Sequence, residues 1–393
     1  MGVLLGMILG PSAGVLEPLG TLFLRLLQMV VFPLVLCTLV VGAATIHPAR
    51  LGRVGGKTLA LYLLTSLFAI VVGIALALLV QPGAGLANPG EPYQAPPPPS
   101  WLDLFLGMVP INPFAALTGT QILPVVFFAL LVGLALASLQ FGPEGRAREL
   151  AGDLLRIFEA GAEVIFVIVK GVLEYAPIGV AALIAVTVGE LGGGALWSLL
   201  RMVVVIYGAI ALQFVVYTLL LRAFRVSPRS FFVGIQEAIL TAFVTRSSNA
   251  TLPVAMRSAE RVGVSESIYG FTLPLGAVVN SDGAAIYMGA TVVFVANILG
   301  LDLSITQLVG VVITGVLVSL GTAGVPSGGL LMVTIALTQL GLPLEPLALI
   351  AGIDAVLDMA RTVCNVTGDL VVTKMVAQTE PDLPGDAIQP SLD

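Results

Sequence analysis

The 393-residue chain is 58% hydrophobic and only 10% charged, with a formal net charge of −6 and a mean hydropathy of +1.06. Soluble domains run at about 45–50% apolar and about 25% charged, so this composition excludes a water-soluble core and points to several membrane spans of about 20 apolar residues. The single histidine, His47, sits in a polar loop and the two cysteines, Cys37 and Cys364, in apolar runs, which excludes a histidine-based metal or catalytic centre and favours packing thiols over a disulfide.

The first apolar segment, Val3 to Val15, reads as too short to span, and it lacks the basic start and small-residue cleavage site of a signal peptide. Apolar segments follow near 18–46, 56–80, 102–140, 150–188, 193–224, 230–256, 264–299, 303–340 and 346–378. Residues 81–100 form a Pro- and Gly-rich linker with polyproline character at Pro96–Pro99, 142–149 a charged one, and Gly192–Gly194 a turn. The polar tail after Glu380 reads as disordered.

Lys and Arg in short loops mark the cytoplasmic side. Arg50, Arg53 and Lys57 place one loop inside, the linker without basic residues lies outside, and Arg146 and Arg148 return the chain inside. The 189–197 turn is then outside and Arg222, Arg225 and Arg229 inside. Residues 230–256 break the alternation, because Arg257 and Arg261 follow and both ends read as cytoplasmic. Their middle, Thr245-Arg-Ser-Ser-Asn-Ala-Thr251, is too polar to face lipid, so the segment is expected to be a re-entrant hairpin with a polar tip. Residues 303–340, with non-basic ends and the tip Gly321-Thr-Ala-Gly-Val-Pro-Ser-Gly-Gly329, are expected to enter from the opposite side. Two hairpin-plus-helix units of opposite orientation form an inverted repeat, the architecture of many secondary transporters, with a solute site between the tips.

Six charged residues fall at membrane depth: Arg246, Asp282, Asp354, Asp358, Arg361 and Asp369. At about 2.5–3.5 kcal/mol each on insertion scales, they have to be paired, hydrated or liganded. In the last segment Asp354, Asp358, Arg361, Asn365 and Asp369 are spaced 4, 3, 4 and 4 apart. At 100° per residue they share an arc of about 80°, the pattern of a helix lining a site. Internal pairing, such as Asp358 with Arg361, is the bland alternative. Asn280-Ser-Asp-Gly283 interrupts a long apolar run and predicts local unwinding, which frees carbonyls to join Asp282 around a hard cation. Tyr62, Thr65 and Ser66 put oxygens on one helix face, either for packing or for a ligand. Arg361 suits a carboxylate and Asp358 an ammonium, so the pair suggests an acidic or zwitterionic amino acid.

Thr245-Arg-Ser-Ser, Asn280-x-Asp-Gly, Gly321-Thr-Ala-Gly-Val-Pro and Asp358-Met-Ala-Arg-Thr-Val-Cys-Asn-Val-Thr-Gly-Asp369 together resemble the dicarboxylate/amino acid:cation symporter family, the glutamate transporters and their microbial relatives. Leu39-Val-Val-Gly-Ala-Ala, Tyr62-Leu-Leu-Thr-Ser and Tyr175-Ala-Pro-Ile-Gly extend the resemblance over nearly the whole chain. It implies an all-α integral membrane protein of eight transmembrane helices and two re-entrant hairpins, working as an elevator-type homotrimer in the cell membrane with its C-terminus cytoplasmic. Helices 1–2 (1–55) and 4–5 (81–192) would form a scaffold. Helix 3 (56–80) and residues 193–380 would form the mobile transport domain, and 381–393 a disordered tail.

The resemblance further implies substrate contacts at Arg246, Ser247, Ser248, Val325, Gly329, Asp358, Arg361, Thr362 and Asn365. Arg361 would take the side-chain carboxylate, Asp358 the amine and Asn365 the main-chain carboxylate. Co-transported sodium ions would bind at Gly276, Asn280, Asn365 and Asp369; at Val278, Ser319, Leu320 and Thr322; and at Tyr62, Thr65, Ser66, Asn280 and Asp282. Ser281 stands where the family usually has Met, and Ala284 where it usually has Thr. Met288 stands where potassium-coupled members carry a carboxylate, so no potassium countertransport is expected. The expected activity is secondary transport of aspartate or glutamate with a cation, not enzymatic catalysis. The competing readings are proton-coupled C4-dicarboxylate transport, neutral amino acid transport and an anion channel.

Overall fold

The computed structural model describes residues 2–44, 54–86, 106–107, 109–118, 122–191, 193–319 and 328–380. Among them every regular element is helical. A short helix α1 (Gly2–Leu9) and a 3-10 turn (Gly10–Leu16) lead into α2 (Glu17–Ala44). Next come α3 (Gly56–Val80), α4 (Pro113–Thr118), α5 (Ile122–Gln140), α6 (Arg146–Leu191) and α7 (Gly193–Ala223). The C-terminal half comprises α8 (Pro228–Gly234), α9 (Gln236–Thr245), α10 (Ser248–Arg261), α11 (Glu266–Val279), α12 (Asp282–Leu299), α13 (Ile305–Ser319), α14 (Gly328–Gln339), α15 (Leu347–Ala351) and α16 (Asp354–Thr379). The linker residues 87–100, the Gly-rich tip from Leu320 to Ser327 and the tail from 381 lie outside the described residues.

Among the described residues, four helical stretches are long and apolar enough to cross a membrane: 2–26, 56–80, 196–223 and 268–299. The first corrects the reading of the N-terminal segment as too short to span. Pro11 and Gly14 do not stop the helix but tighten it into the 3-10 turn, after which α2 continues from Glu17. The long α6, bent by 45° between Val172 and Glu174, makes a fifth when its two arms are counted as one span. Pro177 lies inside α6, and its missing N–H removes the hydrogen bond to the carbonyl four residues earlier, at the bend.

The remaining segments divide where backbone chemistry demands. The apolar run 230–256 resolves into α8, α9 and α10. Arg246 adopts φ 53° and closes α9, while Ser247 in extended conformation caps α10 by accepting from Ala250 N at 3.2 Å. The run 264–299 breaks between Val279 and Asp282, as the Asn-Ser-Asp-Gly motif predicts, with Asn280 extended. The last run breaks at Gly352–Ile353 before α16.

Two groups of helices pack internally. α1, α2, α5 and α6 pack on one another. In the other group α12 is the axis, buried from Asp282 to Ala296 and surrounded by α3, α7, α13, α14 and α16. The pair α9–α10 packs on α16, and α11 bridges α10 to α16. An ion pair between Lys57 and Glu380 joins the start of α3 to the end of α16.

Candidate functional site

The polar stripe of α16 is buried. Asp354, Asp358, Arg361 and Asp369 are each less than 5% exposed, and Asn365 is half-buried. Its upper part is an ion-pair triad. Arg361 Nη2 lies 2.7 Å from Asp358 Oδ1 and 2.9 Å from Asp354 Oδ1, and the guanidinium carbon sits 4.0 Å from the centre of the Tyr287 ring on α12. The spacing i, i+4, i+7 sets these charges above one another on one helix face. Two carboxylates around one guanidinium leave an excess negative charge in a low-dielectric site, which favours an incoming ammonium. Arg361 Nε and Nη1 have no hydrogen-bond partner among the described residues. Gly329, at the start of α14, lies against Nη1: a Cβ added there would stand 2.6 Å from it. The expected carboxylate-binding arginine is therefore held by two internal acids, Asp358 as foreseen and Asp354 in addition.

Thr362 donates to Asp358 O at 2.9 Å, and Asn365 Oδ1 accepts from Gly283 N at 2.7 Å. The second contact ties α16 to the unwound joint of α11 and α12. At the α9–α10 connection Thr251 donates to Ser247 O at 2.8 Å and the Thr245 and Thr251 hydroxyls lie 3.1 Å apart, so the Thr-Arg-Ser-Ser turn is pinned by its own hydroxyls. Ser248 is buried and Arg246 half-buried. Ser319, buried, ends α13 and donates to Val316 O at 2.8 Å, and Val278 is half-buried in the last turn of α11. Leu320, Thr322 and Val325 lie outside the described residues.

The oxygen cluster expected from Tyr62, Thr65, Ser66, Asn280 and Asp282 comes together from α3 and the joint. Ser66 donates to Asp282 Oδ1 at 2.7 Å, and the Ser66 and Thr65 hydroxyls reach Asn280 Oδ1 at 3.3 and 3.4 Å. Tyr62 donates to Thr272 O at 2.9 Å. The amide of Asn280 faces both ways, since its Nδ2 donates to Asp369 Oδ1 at 2.9 Å. Asn280 thus links the Asp282 cluster to a second acid on α16. Glycine at 276 and 368 permits this crowding. A Cβ on Gly276 would lie 2.5 Å from the Tyr62 hydroxyl and 2.6 Å from Asp369 Oδ1. One on Gly368 would lie 2.7 Å from the Tyr217 hydroxyl and 2.9 Å from Asp282 Oδ2.

Sequence reasoning missed four residues here: Asp354 as an arginine partner, Tyr287 beneath the guanidinium, and Gln213 and Tyr217 on α7. Tyr217 donates to Asp282 Oδ2 at 2.5 Å and Gln213 Nε2 to the same oxygen at 3.3 Å. The signal was present: Gln213 and Tyr217 are two polar side chains at i, i+4 in an otherwise apolar span.

Chemically, the arrangement sets a buried cluster of both signs of charge beside hydroxyl, amide and carboxylate oxygens of the kind that suit a hard monovalent cation. The model of the sodium:dicarboxylate symporter family matches residues 1–379. The chain is 33% identical to a proton/sodium-glutamate symport protein of Geobacillus stearothermophilus, over 97% of this chain and 93% of that one. It is 36% identical to a proton/glutamate-aspartate symporter of Escherichia coli, over 93% and 85%. It is also 35% identical to the human neutral amino acid transporter B(0), over 89% and 71%. Those proteins are carriers rather than enzymes, and the chain belongs to the sodium:dicarboxylate symporter family.

Proposed function

We propose that this symporter carries an acidic amino acid, aspartate or glutamate, together with sodium ions. Relatives of nearly equal identity are named for acidic and for neutral substrates, so overall similarity does not choose between them. The observation that carries the choice is Arg361: a guanidinium 1% exposed, fixed by Asp354 and Asp358, with two nitrogens unmet. A buried cation with open donors suits a carboxylate, and a neutral side chain would leave them unsatisfied. The substrate carboxylate takes those donors, its ammonium draws on Asp358, and Asn365, Thr362, Gly329 and the Arg246–Ser248 turn complete the pocket with Val325. A C4-dicarboxylate carries no ammonium to offset the excess negative charge of Asp354 and Asp358 around Arg361, which disfavours that alternative.

Sodium ions bind at the Tyr62, Thr65, Ser66, Asn280 and Asp282 cluster and at Gly276, Asn280, Asn365 and Asp369. A third site uses Val278, Ser319, Leu320 and Thr322. Transport proceeds by an elevator motion of eight transmembrane helices and two re-entrant hairpins related by an inverted repeat, in a homotrimer whose C-terminus is cytoplasmic. The hairpins correspond to α9–α10 and α13–α14. The division into a scaffold (1–55 and 81–192) and a transport domain (56–80 and 193–380) is supported by the packing of α3 with α7, α12 and α16 rather than with its sequence neighbours.

The test is radiolabelled L-aspartate uptake into proteoliposomes under a sodium gradient, a proton gradient or neither. Concentrative uptake with sodium alone is expected. Uptake driven only by protons would overturn the sodium assignment. Arg361→Ala should lower aspartate uptake by roughly a hundredfold or more, the order expected when a charged hydrogen-bond partner is lost. Unchanged aspartate affinity in that variant would sink the acidic-substrate assignment.

A further inference from the structure

We infer that Gln213 of α7 is a positioning residue of the Asp282 cation cluster, an inference that rests on the sodium reading above. The Gln213 side chain is fully buried within an apolar span. Its Nε2 lies 3.3 Å from Asp282 Oδ2 and 3.5 Å from Thr65 O, so one amide ties the carboxylate on α12 to a backbone carbonyl on α3. Its Oε1 has no hydrogen-bond partner among the described residues. Buried amide oxygens are almost always satisfied, so with Oε1 open the side chain is held at the cluster by its two Nε2 contacts alone.

The two oxygens of Asp282 are divided between helices. Oδ1 accepts from Ser66 on α3, beside the Asn280 amide oxygen, and Oδ2 accepts from Tyr217 and Gln213 on α7. Holding Oδ2 from behind fixes the plane of the carboxylate and leaves Oδ1 directed at the hydroxyl and amide oxygens of the cluster. Tyr217 alone cannot do this, because a single hydrogen bond leaves the carboxylate free to turn about it. The Gln213 link to Thr65 O adds the second restraint and sets the distance between α3 and α12 at the site. Preorganised oxygens bind a cation more tightly because less ordering remains at the moment of binding.

The experiment compares Gln213→Met with wild type in two readouts: sodium-dependent thermal stabilisation of the purified protein in detergent, and the sodium concentration for half-maximal aspartate uptake in proteoliposomes. Gln213→Met keeps length and volume and removes both polar ends. Half-saturation for sodium should rise by roughly tenfold in both readouts, while aspartate affinity at saturating sodium stays within about twofold. Thr218→Val, one residue beyond Tyr217 with its hydroxyl bonded only to Phe214 O, should leave both unchanged. If Gln213→Met is not recovered as a monodisperse protein, Gln213→Asn, which withdraws the same amide by about 1.5 Å, carries the test in the same direction. Wild-type sodium response with an identical response in both variants would overturn the inference. So would a loss of aspartate affinity as large as the loss of sodium affinity. A wild type without any sodium response would instead overturn the sodium reading on which the inference rests.

Discussion

Arg361 is the residue on which the site turns. A guanidinium stays buried only when anions surround it, and here Asp354 and Asp358 bind one of its nitrogens from positions seven and three residues earlier on α16. In the proposed binding mode Asp358 would exchange this contact for the substrate ammonium, and Asp354, one turn further away, would keep the arginine oriented. Asp354→Asn should therefore weaken aspartate binding by about tenfold, the equivalent of about 1.5 kcal/mol for a hydrogen bond to a charged group. Isothermal titration at saturating sodium measures this. Affinity equal to wild type would show that Asp358 and Tyr287 suffice to hold Arg361. The stripe on α16 was legible in the sequence, because five polar residues at helical spacing in an apolar run can lie only on one face. Its internal pairing was not legible, since the same spacing brings Arg361 within reach of two acids and leaves open which it holds.

At the scale of elements, the joint between α11 and α12 decides how close the helices come. Asn280 is extended and spans from the α3 hydroxyls to Asp369 on α16. Gly368 lets α16 approach this joint. Replacing it with alanine would bring a methyl group within 2.9 Å of the Asn280 amide nitrogen and Asp282 Oδ2 and within 2.7 Å of the Tyr217 hydroxyl. None of these atoms has a flexible tail that could retreat cheaply. Gly368→Ala should destabilise the protein by about 1–3 kcal/mol, the usual cost of overpacking, and raise the sodium requirement. A melting curve with and without sodium distinguishes this from a neutral substitution, which would shift neither. The break at Asn280-Ser-Asp-Gly was predicted from residues that favour unwinding. The contribution of α7 was not, because Gln213 and Tyr217 come from a helix that precedes the joint by some 65 residues in the chain.

For the whole molecule, the apolar surface suits lipid. Leu64, Phe68 and Val71 on α3, Val164 and Val167 on α6, and Val204, Val215 and Leu219 on α7 are exposed. A surface of this extent in water would aggregate. One of the places where the two packed groups of helices meet is Gly352, just before α16, against Ile184 of α6: a Cβ on Gly352 would lie 2.1–3.1 Å from the Ile184 side chain. The elevator motion proposed above would separate these positions. A disulfide between Ile184→Cys and Gly352→Cys, in a chain with Cys37 and Cys364 replaced by alanine, should abolish aspartate uptake, and a reductant should restore it. Full uptake by the cross-linked protein would exclude movement of one group past the other at this contact.

The sequence by itself determined the membrane class, the helical segments, the unwound joint and the membership signalled by its polar motifs. These are local properties: apolar length, helical period, and residues that favour or break a helix. Only the tertiary structure decided that α1 runs on into α2 through a 3-10 turn, that Arg361 is shared by Asp354 and Asp358, and that Asp282 is held from behind by α7. Those outcomes depend on distances between side chains far apart in the chain. Hydrophobic periodicity says which face of a helix is buried, but it does not say which neighbour that face meets.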